Sequence, residues 1–97
     1  MAVEWNDEHR DALVELLKRD SLRLGQFTLA SGRSSHYYID GRKVTLSAEG
    51  ARLIGRGMLS VLWGRPGIAA VGGLTMGADP IVGASLALAT GFGMGAL

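Results

Sequence analysis

Cysteine is missing from all 97 residues, proline occurs only twice, and aromatic residues make up 6% of the chain. The lack of cysteine excludes disulfide frameworks and thiolate metal sites. This composition fits a reducing compartment, and residues 1–10 are too charged to contain the apolar core of a secretory signal. We therefore expect a cytoplasmic protein.

An excess of charge of one sign is also missing. The chain has ten Lys and Arg residues and nine Asp and Glu residues, which gives a net charge of +1. The basic residues are scattered through residues 10–65 and form no stripe. We therefore expect neither nucleic acid nor an anionic membrane surface as a partner.

One long uncharged run is present, from Ile81 to Leu97. A membrane-spanning helix needs about 20 apolar residues without breakers, and this run is interrupted by glycines at positions 83, 91, 93 and 95. Basic anchors are also missing on both sides. The run predicts a buried helix followed by a buried strand, and no membrane span.

The remaining composition is that of a globular protein, with 47% apolar and 20% charged residues. The length suits one small domain or part of a larger one. Composition changes near residue 47, so we divide the chain into residues 1–46, which carry most charges, and residues 47–97, which are rich in Gly, Ala and aliphatic side chains.

Residues 1–46 predict a helix and two short strands. Asn6 and Asp7 are suitable caps for a helix that runs to about Asp20. Gln26–Ala30 and His36–Asp40 are typical of strands, and the turn between them is rich in Ser and Gly.

Residues 47–97 predict alternating helices and strands. Ser47 can cap a helix that ends at Gly64–Gly67, and the apolar run Ile68–Gly72 is typical of a strand covered on both faces. Asp79 and Pro80 then suit the cap and first turn of another helix.

That helix, Pro80–Ala89, is apolar nearly all round and is expected to be buried, and Phe92–Leu97 resembles the opening of another strand. The order predicts an α/β fold with a parallel sheet. The sheet would be incomplete, because two strands alone leave an open edge.

The segment Gly73–Pro80 is the first candidate site. A strand followed by a Gly-rich loop and a helix start presents free backbone N–H groups, which favour an anion such as phosphate. It lacks the Lys and Ser/Thr of a nucleotide P-loop and the glycine spacing of the dinucleotide fingerprint. A plain strand-to-helix turn with an Asp cap is the alternative.

The hairpin segment Phe27–Asp40 is the second candidate. Its turn offers hydroxyls, backbone donors and the Arg33 guanidinium, and Tyr37 and Tyr38 point to opposite faces of a strand. One ring could stack on a planar ligand while the other packs inward. The alternative is a hairpin with ordinary aromatic packing.

The chain shows no paired carboxylates, Ser-His-Asp set or metal-ligand cluster. His9 is expected to be exposed on its helix. No residue is therefore predicted to be catalytic or to bind a metal.

Together the two segments resemble a known family. Phe27–Arg33 (Phe-Thr-Leu-Ala-Ser-Gly-Arg), followed by Tyr37–Asp40 (Tyr-Tyr-Ile-Asp), resembles the N-terminal signature of orotate phosphoribosyltransferases. Gly72–Pro80 (Gly-Gly-Leu-Thr-Met-Gly-Ala-Asp-Pro) is similar to the pyrophosphate-binding loop of bacterial or archaeal members. The likeness covers essentially the whole chain.

The resemblance implies a type I phosphoribosyltransferase fold, with residues 1–46 as a hood (one helix and two short strands) and residues 47–97 as the first part of the α/β core. It implies that orotate attacks C1 of phosphoribosyl pyrophosphate (PRPP) with Mg²⁺ as cofactor, giving orotidine 5′-monophosphate and pyrophosphate in pyrimidine biosynthesis. The full-length enzyme is expected to be a homodimer.

The resemblance also implies substrate contacts from two groups of residues. They are Ser31, Gly32, Arg33, Tyr38, Ile39 and Asp40 in the hairpin, and Leu74, Thr75, Met76 and Gly77 in the loop. Tyr38 and Ile39 would cover the orotate ring. The backbone amides of Thr75, Met76 and Gly77 would hold pyrophosphate. Relatives often have a non-proline cis peptide in this loop.

Three departures from the family pattern stand out. Many relatives carry Lys in place of Ala30, and some carry Tyr-Lys in place of Met76-Gly77. The family's mobile basic loop and acidic-pair PRPP motif would lie beyond Leu97, so we expect the chain alone to be inactive. The alternative is a non-catalytic fragment that binds anions or dimerises.

Overall fold

The computed structural model describes residues 2–97. Its elements, in chain order, are α1 (Asp7–Asp20), β1 (Leu22–Thr28), β2 (Ser34–Ile39), α2 (Arg42–Thr45), α3 (Ala48–Leu62) and α4 (Asp79–Ala89), followed by a 3-10 turn (Thr90–Phe92). None of the helices within these residues has the length and apolarity to cross a membrane.

Helix α1 begins with a reciprocal cap. The Asn6 side chain accepts a hydrogen bond from the His9 N–H, and His9 Nδ1 accepts one from the Asn6 N–H, both at 3.1 Å. The predicted helix is confirmed, but the expected exposure of His9 is wrong. Its ring is half-buried and stacks on Trp5 with 5.5 Å between centroids, because the capping geometry turns it back along the chain.

The predicted hairpin is confirmed, with a longer first strand. Strands β1 and β2 pair antiparallel from Leu22 opposite Ile39 to Thr28 opposite Ser34, with an irregularity between Leu24 and Phe27. Strand β1 therefore begins four residues before the predicted start at Gln26. Gly25 lies in the irregularity with φ 153°, a conformation that only glycine adopts readily.

Helix α3 begins where the sequence predicts. The Ser47 hydroxyl accepts a hydrogen bond from the Gly50 N–H at 3.1 Å, and the helix ends at Leu62, just before Gly64 with φ 75°. Helix α2, a single turn in front of it, has no counterpart among the predicted elements.

Helix α4 departs from two expectations. Asp79 is its first residue, and Ala78 occupies the cap position without a side-chain hydrogen bond. Only Ser85 and Ala89 are buried, whereas Leu86 is 40% exposed. The expectation of a helix buried all round is wrong because, in the described part of the chain, α3 covers only one side of it.

The buried side chains form two clusters. Val3, Leu59 and Ala89 lie between the chain start, α3 and α4. Leu16, Val44 and Leu53 join α1, α2 and α3. This second cluster packs residues from both sides of position 46/47, and the division of the chain there stays a prediction.

The prediction of two parallel strands, Ile68–Gly72 and Phe92–Leu97, is wrong: neither segment is a strand. Among residues 2–97 the one sheet is the antiparallel pair of β1 and β2. Residues 68–72 are irregular, and residues 90–97 turn back, with the Met94 N–H donating to the Ala89 carbonyl at 2.8 Å. An apolar run becomes a strand only where a neighbouring strand accepts its ladder hydrogen bonds.

Candidate substrate-binding site

The loop in front of α4 is a tight turn with one unusual backbone angle. The Ala78 N–H donates to the Leu74 carbonyl at 3.0 Å. Met76 has φ 75° and is the one non-glycine residue with positive φ in the described chain. Such a conformation costs about 1–3 kcal/mol and persists only where surrounding contacts hold it.

Asp79 provides that contact. Its Oδ2 accepts a hydrogen bond from the Met76 N–H at 3.0 Å. Gly73 allows the turn to close, because a Cβ there would lie 2.5 Å from the Ala78 Cβ. Asp79 thus holds the loop, and its side chain is directed back into the loop instead of capping the helix.

Two of the three loop amides that the resemblance implies are open. Within residues 2–97 the N–H groups of Thr75 and Gly77 make no hydrogen bond, whereas that of Met76 is taken by Asp79. Leu74 and Met76 are 87% and 80% exposed. Backbone donors and the positive end of α4 therefore face solvent at this loop, with the Asp79 carboxylate beside them.

The hairpin turn is ordered by its own backbone. The Gly32 N–H donates to the Leu29 carbonyl at 2.9 Å, and the Leu29 N–H donates to the Arg33 carbonyl at 2.8 Å. Gly32 has φ 84°. Ser31, Gly32 and Arg33 are all exposed, so their polar groups are accessible.

The two tyrosines lie on opposite faces of the hairpin, as predicted. The Tyr38 ring lies 5.9 Å from that of Phe27, whereas Tyr37 is paired with Leu24 on the other face. Tyr38 and Ile39 are 44% and 53% exposed. Apolar surface is thus available for a planar ligand.

Asp40 differs from these residues because it is half-buried and already engaged. Its N–H donates to the Ser21 carbonyl at 2.9 Å. Its carboxylate lies 3.6 Å from Arg42 Nε. These contacts tie the end of β2 to α1 and α2, so Asp40 has a local structural role in addition to the predicted one.

The described residues do not join the hairpin and the loop into one pocket. No hydrogen bond within residues 2–97 links Ser31–Asp40 to Leu74–Gly77. A cavity beside Trp63 and another beside Leu16 are lined by other residues. The predicted arrangement of hairpin over loop stays a prediction.

The described residues do not form a cluster of potential metal ligands either. Residues 2–97 bring together no group of three or more His, Asp or Glu side chains. Peptide bonds in the same range are all trans, so the loop does not show the cis peptide that relatives often have.

Two features of this region were missed by the sequence analysis. One is the hydrogen bond between Asp79 and Met76; the tendency of Asp to accept from nearby backbone N–H groups on either side was the available signal. The other is an apolar groove beside Trp63 and Ile68, which no local pattern indicates because it is built from distant segments.

Many curated proteins similar to this chain carry the same name, although no family model matched it. The orotate phosphoribosyltransferase of Rhodopirellula baltica is 48% identical, over 81% of this chain and 44% of that protein. That of Thermosynechococcus vestitus is 55% identical, over 75% of this chain and 38% of that protein. The resemblance to orotate phosphoribosyltransferases is confirmed.

Solved structures agree. Orotate phosphoribosyltransferase of Mycobacterium tuberculosis in complex with Fe(III) dicitrate superimposes with a TM-score of 0.70 and 44% identity, covering 80% of this chain and 46% of that one. The same enzyme in complex with inorganic phosphate gives 0.68 and 43%. This confirms the α/β fold class, as the N-terminal portion of a type I phosphoribosyltransferase.

The match to the Rhodopirellula baltica enzyme includes both candidate segments. It covers 81% of the chain, so the part left out at either end is too short to contain the hairpin or the loop before α4. The chain spans less than half the length of these orotate phosphoribosyltransferases.

Proposed function

We propose that this chain supplies part of the substrate-binding surface of an orotate phosphoribosyltransferase, which transfers phosphoribosyl from PRPP to orotate. The observation that carries the proposal is the similarity across both predicted segments, at 48% identity to a curated relative of that name. The open amides at the start of α4 suit the role, because they are donors for a leaving diphosphate.

The chemistry makes such donors useful. As the bond from C1 to the diphosphate breaks, the ribose becomes oxocarbenium-like and negative charge grows on the leaving oxygens. Fixed N–H groups at Thr75 and Gly77 would stabilise that charge without reorganising. Asp79 holds the turn that orients them, by fixing Met76.

The hairpin would serve the acceptor. Tyr38 and Ile39 offer apolar surface to the orotate ring, and Ser31 and Arg33 offer hydroxyl and guanidinium groups to charged ligands. Gly32 forms the exposed turn between them, where it would allow a ligand to approach the backbone closely. Leu74 and Asp40 complete the proposed set of contacts. Asp40 would act mainly by holding the end of β2, because its N–H donates a hydrogen bond to the Ser21 carbonyl.

The cofactor, assembly and compartment belong to the same proposal. We propose Mg²⁺ as the counterion of the diphosphate, bound to phosphate oxygens as Mg²⁺ often is, and we assign it no ligand in this chain. A homodimeric enzyme in the cytoplasm is proposed on the family resemblance and on the absence of cysteine.

Amide NMR tests the binding role directly. Titration of the ¹⁵N-labelled chain with inorganic pyrophosphate should shift the Thr75 and Gly77 amide protons downfield, because a charge-assisted hydrogen bond replaces water. The Trp63 amide, which donates to the Leu59 carbonyl and lies outside the proposed contacts, is the internal control. Saturating pyrophosphate without a response at Thr75 and Gly77 would contradict the proposal.

A further inference from the structure

Phe27 differs from the rest of strand β1 in its burial. Its side chain is half-buried, whereas every other residue of the strand is exposed. A strand that packs on no layer beneath it would leave this side chain exposed as well. The burial of Phe27 therefore comes from a particular neighbour within the hairpin.

That neighbour is the ring of Tyr38 on strand β2. The two ring centroids are 5.9 Å apart, and the ring planes are tilted by 38°, which is typical of an interacting aromatic pair. Tyr38 is still 44% exposed. Phe27 therefore packs against one part of the Tyr38 ring and leaves the rest of that ring open to a ligand.

Gly25 allows Phe27 to take this position. A Cβ at position 25 would lie 3.5 Å from Cε2 of the Phe27 ring, so the ring lies back along the strand, over the glycine backbone. The ladder is shifted between Leu24 and Phe27, and such bulges change the direction of the side chains beside them. The irregularity in β1 thus directs Phe27 toward Tyr38.

A tyrosine that is already held suits the role proposed for Tyr38. Ordering a mobile side chain when a ligand binds lowers the affinity, and a side chain ordered beforehand avoids that loss. Tyr38 lies on a two-stranded hairpin, where contacts from other strands are lacking in the described residues. The Phe27 ring is the aromatic group that orders it.

We propose that Phe27 is a positioning residue for the acceptor: packed over Gly25, it holds the Tyr38 ring in the orientation in which that ring stacks on orotate. Phe27 acts through Tyr38 and is assigned no contact with the ligand. Neither Phe27 nor Gly25 is among the contacts that the family resemblance implies. This inference rests on the proposed function for the identity of the ligand and for the role of Tyr38.

Titration of the chain with orotate, followed by the NMR signals of the Tyr38 ring, tests the proposal. Phe27→Leu keeps an apolar side chain but removes the ring, so orotate should bind about fivefold more weakly, as expected for the loss of one aromatic pair. Phe27→Tyr keeps the ring and should recover most of the affinity. Equal losses in the two variants, or no loss in Phe27→Leu, would overturn the proposal.

A spectroscopic signature of positioning is measured without ligand. Nuclear Overhauser effects should join the Phe27 and Tyr38 rings in the unmodified chain, and their absence would overturn the proposal whatever the variants do. In Phe27→Leu the Tyr38 ring signals should move toward those of a free tyrosine, while the amide signals of β1 and β2 show that the hairpin is kept. Unchanged Tyr38 signals in that variant would also overturn it.

Leu24→Ala is the matched control in the same strand. Leu24 is 79% exposed and pairs with Tyr37, on the face opposite to Tyr38. Its truncation should leave both the Tyr38 ring signals and the affinity for orotate unchanged. A loss equal to that of Phe27→Leu would show that any large side chain of β1 has this effect, which would overturn the proposal.

The outcomes separate this inference from the proposed function. If orotate leaves the Tyr38 signals of the unmodified chain unchanged, the hairpin role in the proposed function is contradicted together with the inference. If Tyr38 responds equally in Phe27→Leu, only the inference is overturned. The pyrophosphate response of Thr75 and Gly77 should be the same with and without the substitution; a change there would show a general effect on the fold and would overturn the positioning role.

Discussion

Asp79 has two opposing effects on the loop before α4. Its carboxylate holds Met76 at φ 75°, which keeps the turn closed. The same negative charge lies beside the open amides of Thr75 and Gly77, where it repels an anion. Hydrogen bonding and electrostatics at this residue therefore act in opposite directions on ligand binding.

Changing Asp79 to asparagine separates the two effects. Asp79→Asn keeps an oxygen acceptor for Met76 but removes the charge, so pyrophosphate should bind a few-fold tighter, in line with about 1 kcal/mol for unit charges near 4 Å in water. Calorimetric titration at fixed ionic strength measures this. Asp7→Asn makes the same charge change at the start of α1 and should leave the affinity unchanged; weaker binding by Asp79→Asn would contradict the argument.

Asn6 carries a simpler role at the start of α1. Asn6→Ala removes the acceptor for the His9 N–H and should lower the free energy of unfolding by about 1 kcal/mol. Urea denaturation followed by circular dichroism measures the loss. Asn6→Ser restores a capping oxygen and should recover most of it; equal losses in the two variants would show that the cap is not the cause.

Asp20 provides a pH-dependent contribution. Two hydrogen bonds of 2.9 Å from Arg19 lower the pKa of its carboxyl. A lowered folded-state pKa stabilises the fold above the unfolded value, about 3.9, and this contribution is lost as the pH falls through the folded value. Asp20→Asn should therefore flatten the decline in stability below about pH 4, measured as the melting temperature against pH; an unchanged slope would contradict this.

Helices α3 and α4 pack closely because one glycine lies at their contact. A Cβ on Gly55 would lie 2.9 Å from the Ala84 carbonyl group, and the Leu88 side chain is 3.1 Å away. On the far side of α4, a Cβ on Gly83 would meet nothing within 4 Å. Both glycines lie inside a helix, but Gly55 is tightly packed and Gly83 has free space beside it.

This contrast gives a matched pair of substitutions. Gly55→Ala should lower the free energy of unfolding, because overpacking costs about 1–3 kcal/mol and outweighs the better helix propensity of alanine. Gly83→Ala should be neutral or stabilising by up to about 1 kcal/mol. Denaturant unfolding of both variants checks this, and the opposite ranking would show that α3 and α4 do not pack as described.

The molecule as a whole has a small core and much exposed apolar surface. Among residues 2–97, six apolar residues are buried, in two separate clusters, while Leu24, Leu74 and Met76 are each about 80% exposed or more. The proposed substrate groups of hairpin and loop do not share a pocket within residues 2–97. Catalysis by fixed electrostatics needs a closed and preorganised site.

We accordingly predict that the chain alone does not catalyse the reaction. Incubation with orotate, PRPP and Mg²⁺ should give no orotidine 5′-monophosphate above a blank, as followed by the orotate absorbance and by chromatography. A full-length curated relative at the same concentration is the positive control. Turnover by the 97-residue chain would show that residues outside it are dispensable.

Much of this protein was determined locally by its sequence. The first residues of α1 and α3 follow from Asn6 and Ser47, because an N-cap satisfies backbone N–H groups within three residues of itself. The hairpin follows from the alternation around its Gly-containing turn. The two motif segments were also sufficient to indicate orotate phosphoribosyltransferases, since each is a continuous run of residues.

The tertiary structure alone determined the features that depend on residues distant in the sequence. Residues 68–72 are apolar enough for a strand, yet they remain irregular because a strand requires hydrogen bonds to a neighbour. Helix α4 is apolar all round but half-covered, since burial depends on what packs against it. Asp79 has the residue type of a cap, but its carboxylate accepts a hydrogen bond from the Met76 N–H and holds the loop instead.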